Sequence, residues 1–172
     1  MTTHVIKDYR RNDDNRTLWS PYWLESSTVY GGDLSATTMG LLWSFPASKY
    51  GTRKIIIEKI AIQVITAFTG GSPTLDVGAY TLATDGVTTA GVATIVDIDE
   101  YIPNANVTAA TPAIYWAATG DWITAKLLMT NAAPTVITPA NSTVPCIGVL
   151  GAASMAAGYA RVFMQITEVP FL

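Results

Sequence analysis

From residue 55 to residue 68 the apolar side chains fall on alternate positions: Ile56, Ile60, Ile62, Val64 and Phe68 are even-numbered, while Lys59, Gln63 and the small Ala61 and Ala67 are odd. A period of two belongs to a strand with one face buried and the other turned to water. Two further stretches repeat it. Leu75, Val77 and Ala79 alternate with Asp76, Gly78 and Tyr80, and Val162, Met164 and Ile166 alternate with Arg161, Gln165 and Thr167. No apolar pattern at helical spacing lasts three turns. Turn-forming residues separate the runs at Gly70-Gly71-Ser72-Pro73, Asp85-Gly86, Thr119-Gly120-Asp121 and between Gly151 and Gly158. The pattern predicts an all-β fold, an antiparallel β-sandwich of about eight strands whose alternating faces meet in one core. The strands are expected near residues 36–45, 54–68, 74–81, 92–99, 112–118, 121–129, 143–150 and 159–169.

A chain of 172 residues fits a single core. The sandwich is expected over residues 33–172, preceded by an extended N-terminal arm over residues 1–32. The arm has its own chemistry: a charged stretch with Arg10, Arg11 and Arg16, then Leu18, Trp19, Tyr22, Trp23 and Leu24. Ser20 followed by Pro21 reads as an N-cap and first helical position, predicting one helical turn through Glu25. The two tryptophans need a surface, either their own domain's core or a neighbouring subunit. Arg10, Arg11, Arg16, Trp19, Tyr22 and Trp23 are therefore the candidate partner-binding residues, and deletion of residues 1–30 is expected to leave a domain that folds.

Charged residues make up 13% of the chain, about half the share of an average soluble domain, while apolar residues make up 49%. Such a chain orders itself and buries or shares much of its surface. The net charge of −3 is uneven: residues 1–59 hold eight Lys/Arg against six Asp/Glu, a balance of +2, and residues 60–172 hold two against seven, a balance of −5. Asp8, Asp13 and Asp14 neutralise the arginines of the arm, which argues against nucleic-acid binding. The 34 uncharged residues between Lys126 and Arg161 are interrupted by Pro134, Pro139 and Pro145, so no membrane span is expected. The first twenty residues lack an apolar core of the secretory kind, which predicts synthesis in the cytoplasm and makes the sequons at Asn15, Asn106 and Asn141 chance matches. Cys146 is the only cysteine, so no internal disulfide forms, and its setting in a strand reads as a small buried hydrophobe.

The side chains that carry most hydrolytic chemistry are scarce. His4 is the only histidine, and a Ser-His-Asp or Cys-His arrangement needs a placed base. One Cys and one His far apart do not make a zinc site, and no phosphate-binding loop or dinucleotide fingerprint is present. A non-catalytic protein without cofactor or metal is the expectation. Two clusters carry a second reading. Asp97, Asp99 and Glu100 read first as a solvated strand end and second as oxygen ligands for Ca²⁺ or, with Asp121, as a carboxylate pair for glycoside hydrolysis. Tyr115, Trp116 and Trp122, near the turn of a hairpin, read first as core aromatics and second as a stacking platform for a sugar ring.

Taken together, the strand Lys54 to Phe68 running into Thr69-Gly70-Gly71-Ser72-Pro73, the following Leu75-Asp76-Val77-Gly78, the segment Ala118-Thr119-Gly120-Asp121-Trp122-Ile123-Thr124 and the closing strand Arg161 to Val169 resemble the small β-sandwich or jelly-roll decoration (cement) proteins of tailed-bacteriophage heads. The resemblance covers residues 50–172 and leaves the arm outside it. It implies a virion protein on the outer capsid surface that bridges neighbouring copies of the major capsid protein, often as a homotrimer, with no catalytic or cofactor residues. The alternative is a receptor- or carbohydrate-binding β-domain of a phage tail or fibre, in which Trp116 or Trp122 would carry glycan affinity.

Overall fold

The computed structural model describes residues 21–83, 93–108, 114–116, 135–151 and 155–169, with residues 114–116 and 135–136 placed as backbone. Ten strands appear in chain order: β1 (Tyr22–Glu25), β2 (Val29–Tyr30), β3 (Gly40–Ser44), β4 (Lys54–Gly70), β5 (Thr74–Leu82), β6 (Ala93–Asn106), β7 (Ile114–Trp116), β8 (Thr135–Ile137), β9 (Val144–Gly151) and β10 (Met155–Val169). One helical turn, α1 (Ala47–Tyr50), joins β3 to β4. All named strand pairs are antiparallel. One sheet runs β1-β10-β4-β7, with β2 continuing β1 along β10 and β8 pairing with β4; the other runs β3-β9-β5-β6.

Counting β1 with β2 and β7 with β8 as interrupted strands leaves eight. The first sheet then holds the first, eighth, third and sixth, and the second holds the second, seventh, fourth and fifth. That connectivity is a jelly roll, two Greek keys wrapped into a sandwich, and the expected all-β sandwich is the observed fold.

The long strand β4 explains the core. Ile60, Ile62, Val64 and Phe68 point into it, as the alternation predicts, but so do the odd-numbered Ile55 and Ile57, whereas Ile56 is half-buried. Gln165 pairs with Lys59 and the next residue, Ile166, pairs with Ile57, so Glu58 is an extra residue. Such a bulge inverts the inward and outward faces on either side of it. Glu58 is put to use there, accepting a hydrogen bond from Thr167 Oγ1 at 2.9 Å. Opposite, Ala160, Val162, Met164 and Ile166 of β10 are buried on the same core.

Ser20, the expected N-cap, lies outside the described residues, and Tyr22 to Glu25 do not form the expected helical turn. Tyr22 to Glu25 pair with Ile166 to Phe163 as an edge strand, because Tyr22 and Leu24 alternate with Trp23 and Glu25, a period that covers β10 and sends Leu24 into the core. Where β1 leaves β10, Ser26 continues the ladder: its N–H donates to the carbonyl of Val162 at 2.8 Å, its Oγ accepts from the N–H of Val162 at 2.9 Å, and that hydroxyl donates to the carbonyl of Ser27. Val29 of β2 is buried in the same core. Deleting residues 1–30 would thus strip two core side chains and the edge of a sheet, at about 2–5 kcal/mol for each large apolar side chain removed.

Strands β3, β5 and β9 of the second sheet are buried on both faces. Leu75, Val77, Ile147 and Val149 face the main core, while Met39, Leu41, Tyr80, Leu82, Val144, Cys146 and Leu150 form a second cluster on the other side. Strand β9, Val-Pro-Cys-Ile-Gly-Val-Leu-Gly, is accordingly almost continuously apolar, as doubly buried strands are. Strand β6 runs beyond the expected 92–99 because bulges absorb its irregular residues. Val77 pairs with Ile102 and Ala79 with Asp97, so two steps on β5 span five on β6. Pro103 sits between the paired Ile102 and Ala105, on an edge strand where its missing N–H breaks no ladder between two neighbours.

Candidate interaction surfaces

Of the six candidate partner-binding residues, Arg10, Arg11, Arg16 and Trp19 lie outside the described residues. Tyr22 and Trp23 sit on β1 and face opposite ways. Tyr22 packs against the core, and its hydroxyl donates to Glu168 Oε1. The other oxygen of Glu168 accepts from Arg53 Nη1 at 2.7 Å, which ties the start of β1 to the ends of β4 and β10. Trp23 is turned outward and is 46% exposed.

Trp23 is not isolated. Tyr30 on β2 and Tyr159 on β10, paired in register, are 55% and 38% exposed, and their rings lie 6.3 Å apart in a tilted arrangement. Arg161 and Glu25, both about half exposed, form an ion pair at 2.6 Å between the two aromatic positions; exposed pairs of this kind hold little stability. The β1/β2 edge of the first sheet therefore presents three exposed aromatics on its outer side. Tyr30 and Tyr159 were not singled out by the sequence, and the signal available was the alternation of Tyr159 with the buried Ala160.

Beside this edge, at the mouth between the sheets, an open cleft of about 360 Å³ is lined by Val29, Tyr30, Leu34, Leu41, Leu42 and Val149. Its walls are mostly core side chains, and Ser27, Thr28 and Asp33 form its polar lip. One carboxylate and three hydroxyls, from Asp33, Ser27, Thr28 and Tyr30, supply neither a pair of carboxylates nor a nucleophile with its base.

Across the molecule, β6 forms the far edge of the second sheet. Asp97, Asp99 and Glu100 lie on its exposed half. Asp97 Oδ1 accepts from the N–H of Asp99. Asp99 is held above the usual carboxylate range first by a hydrogen bond shared with Asp97, and Glu100 first by burial and then by the charge of Asp97. Among the described residues no three His, Cys, Asp or Glu side chains gather as a metal site needs; Asp121 lies outside them. Ile95 and Val96 beside these acids are 57% and 63% exposed, the most exposed of the large apolar side chains described.

Cys146 is buried in the second cluster, where burial pushes its thiol up to about 12, so it is protonated and unreactive at neutral pH. Trp116 is placed by register opposite Ala61, and Trp122 and His4 lie outside the described residues. No helix among the described residues is long and apolar enough to cross a membrane.

No protein-family model and no curated protein matches the chain. Solved structures do. A chain from the capsid of Ralstonia phage GP4 is similar over 95% of this chain and 92% of its own, with a TM-score of 0.55 and 18% identity. A chain of the cyanophage Pam1 capsid asymmetric unit aligns over 94% of each, with a TM-score of 0.48 and 12% identity. The likeness at 18% identity is one of fold: the two-sheet jelly roll described above is an architecture that a phage capsid chain also adopts.

Proposed function

We propose that this chain is a structural virion protein that binds the outer surface of a phage capsid and cements neighbouring copies of the major capsid protein. The observation that carries the reading is the match of fold along nearly the whole chain, with 95% of it covered, to a chain of the GP4 capsid. A fold does not determine a function, so the surfaces have to agree. The described residues offer no assembled catalytic or metal centre, and they do offer an exposed aromatic edge at Trp23, Tyr30 and Tyr159. Aromatic side chains are the usual anchors of protein interfaces.

In this reading Trp23, Tyr30 and Tyr159 face the capsid, Tyr22 locks β1 in place behind them, and Arg10, Arg11, Arg16 and Trp19 reach a neighbouring subunit. Many copies with modest individual affinity would oppose the outward pressure of packaged DNA. The test is the number of copies per purified particle, by quantitative mass spectrometry against the major capsid protein. Copies in the hundreds, in a simple ratio to the capsid protein, are expected. A handful of copies would move the chain to the tail and make receptor binding the leading reading, and absence from the particle would end the structural one.

A further inference from the structure

Residues 93–100 of β6 form the least protected part of the described fold. The strand is a sheet edge, and no described strand pairs with its outer side. Thr94 to Asp97, Asp99 and Glu100 are all exposed, although alternate residues of a strand face opposite ways, so this half of β6 is open on both faces. Two adjacent β-branched residues, Ile95 and Val96, are each more than half exposed. An apolar edge of this kind is a template for another strand. Its only charges are acidic, at Asp97, Asp99 and Glu100.

One segment of the same chain has the complementary character. Residues 4–11, His-Val-Ile-Lys-Asp-Tyr-Arg-Arg, combine the strand formers Val5, Ile6 and Tyr9 with a net charge of +2 from Lys7, Arg10 and Arg11 against Asp8. A parallel register sets Val5 against Ile95, Ile6 against Val96, Lys7 against Asp97 and Arg10 against Glu100, with Asp8 opposite Ile98. The antiparallel register that pairs Lys7 with Glu100 and Arg10 with Asp97 forces Asp8 against Asp99.

Where the arm begins decides whose edge it meets. It joins the body at β1, whose edge of the first sheet is continued by β2, and β2 lies beside β3, as the cleft they line shows. The β6 edge lies at the opposite end of the second sheet. Residues 12–20 can bridge about 30 Å when extended, enough to reach an adjacent copy. Donor and acceptor on different edges of one molecule make a head-to-tail contact, which closes into a ring when the rotation between copies returns to the first one.

We propose that residues 4–11 of one copy add as a strand to the outer edge of β6 of the next copy, Lys7 and Arg10 pairing with Asp97 and Glu100. The repulsion between Asp97 and its neighbours Asp99 and Glu100 is offset when the basic strand arrives. This deepens the oligomer part of the capsid reading and is tested on the purified chain alone, so its failure leaves the particle count standing.

The test uses the full chain. Light scattering after size exclusion is expected to show a closed oligomer at low salt that dissociates in molar salt. Reversal of the acceptor, D97K with E100K, and reversal of the donor, K7E with R10E, should each weaken association at least about tenfold, with circular dichroism unchanged. The four substitutions together should restore it, an outcome that damage to folding cannot produce. Copies carrying only I6C, mixed with copies carrying only V96C, should form a disulfide-linked pair under mild oxidation, Cys146 being buried. A chain that is monomeric at all salts, association indifferent to both reversals, no rescue, or a disulfide that forms only within a single I6C/V96C chain would each overturn the proposal.

Discussion

Replacing Gly78 with Ala tests whether the bulge of β6 depends on a missing side chain. A Cβ built at Gly78 falls 2.3 Å from the carbonyl oxygens of both Asp97 and Ile98, where contacts below 3.0 Å are essentially never seen. The obstacle is backbone on the neighbouring strand, so no rotamer change relieves it. The bulged segment must withdraw by at least 0.7 Å, the difference between those two distances. Overpacking of this kind costs about 1–3 kcal/mol, and a backbone obstacle belongs in the upper half of that range. With about 2–4 °C of midpoint per kcal/mol for a chain of this size, Gly78→Ala should melt about 4–12 °C below the parent. Gly71→Ala is the control: a Cβ there meets nothing within 4 Å, and its midpoint should stay within about 2 °C. Scanning calorimetry gives both values, and hydrogen exchange should show faster opening of β6 with β4 and β10 unchanged. A Gly78→Ala protein that melts with the parent would refute the account of the bulge.

Three further outcomes follow from single residues. Asp76 is buried, and its Oδ1 accepts the N–H of Asn104 at 2.5 Å, where Asn104 has a positive φ of 47°; Asp76→Ala should lose about 1–3 kcal/mol by leaving that N–H unpaired, while Asp76→Asn, which keeps an acceptor, should lose less, and equal midpoints for the two would refute the role. Cys146 should resist a thiol reagent in the folded protein at mildly alkaline pH and react fully in denaturant, and rapid labelling of the native chain would contradict its burial. Asp99, raised above its ordinary range by Asp97, binds its proton more tightly in the fold than in the unfolded chain; that stabilisation is complete in acid below the ordinary carboxylate range and is lost as pH rises through the raised value. Asp99→Asn should therefore melt higher than the parent at neutral pH, show no gain in acid, and lose its advantage in salt; a lower midpoint at neutral pH would refute the sign.

The sandwich was legible because burial on one face imposes period two, and β4, β5 and β10 carry that period over many residues. It was less legible where the fold departs from it. The bulge at Glu58 inverts β4, so Ile55 and Ile57 replace Ile56 in the core, and no local feature of Ile-Ile-Ile-Glu-Lys shows where the inversion falls. Strand β6 was read as ending at residue 99, whereas it continues through Pro103 to Asn106, which an edge strand tolerates. Ser20-Pro21 resembled a helix start, but four residues are too few for periodicity to outweigh that signal, and tertiary pairing with β10 decided the outcome. The second buried face of β9 was hidden for another reason: continuous apolarity fits a doubly buried strand and a buried helix segment alike. Among the candidate surfaces, Trp23 was found by its composition, whereas Tyr30 and Tyr159 became a pair only through a register set by distant residues.

The uneven charge, +2 over residues 1–59 and −5 thereafter, constrains how copies of such a sandwich can meet. The open edge at β6 carries Asp97, Asp99 and Glu100 and no base over residues 93–100. Two such edges brought together across a twofold axis would set these acids against their own copies, and like charges facing across a strand pair are destabilising. Residues 4–11 bear the opposite sign and precede β1, which belongs to the other sheet. Electrostatics therefore rejects the isologous pairing that an apolar edge would otherwise invite and favours the heterologous one. In the proposed contact the same acids would keep the edge from pairing at random until a basic strand meets it, because charges on an open edge oppose aggregation.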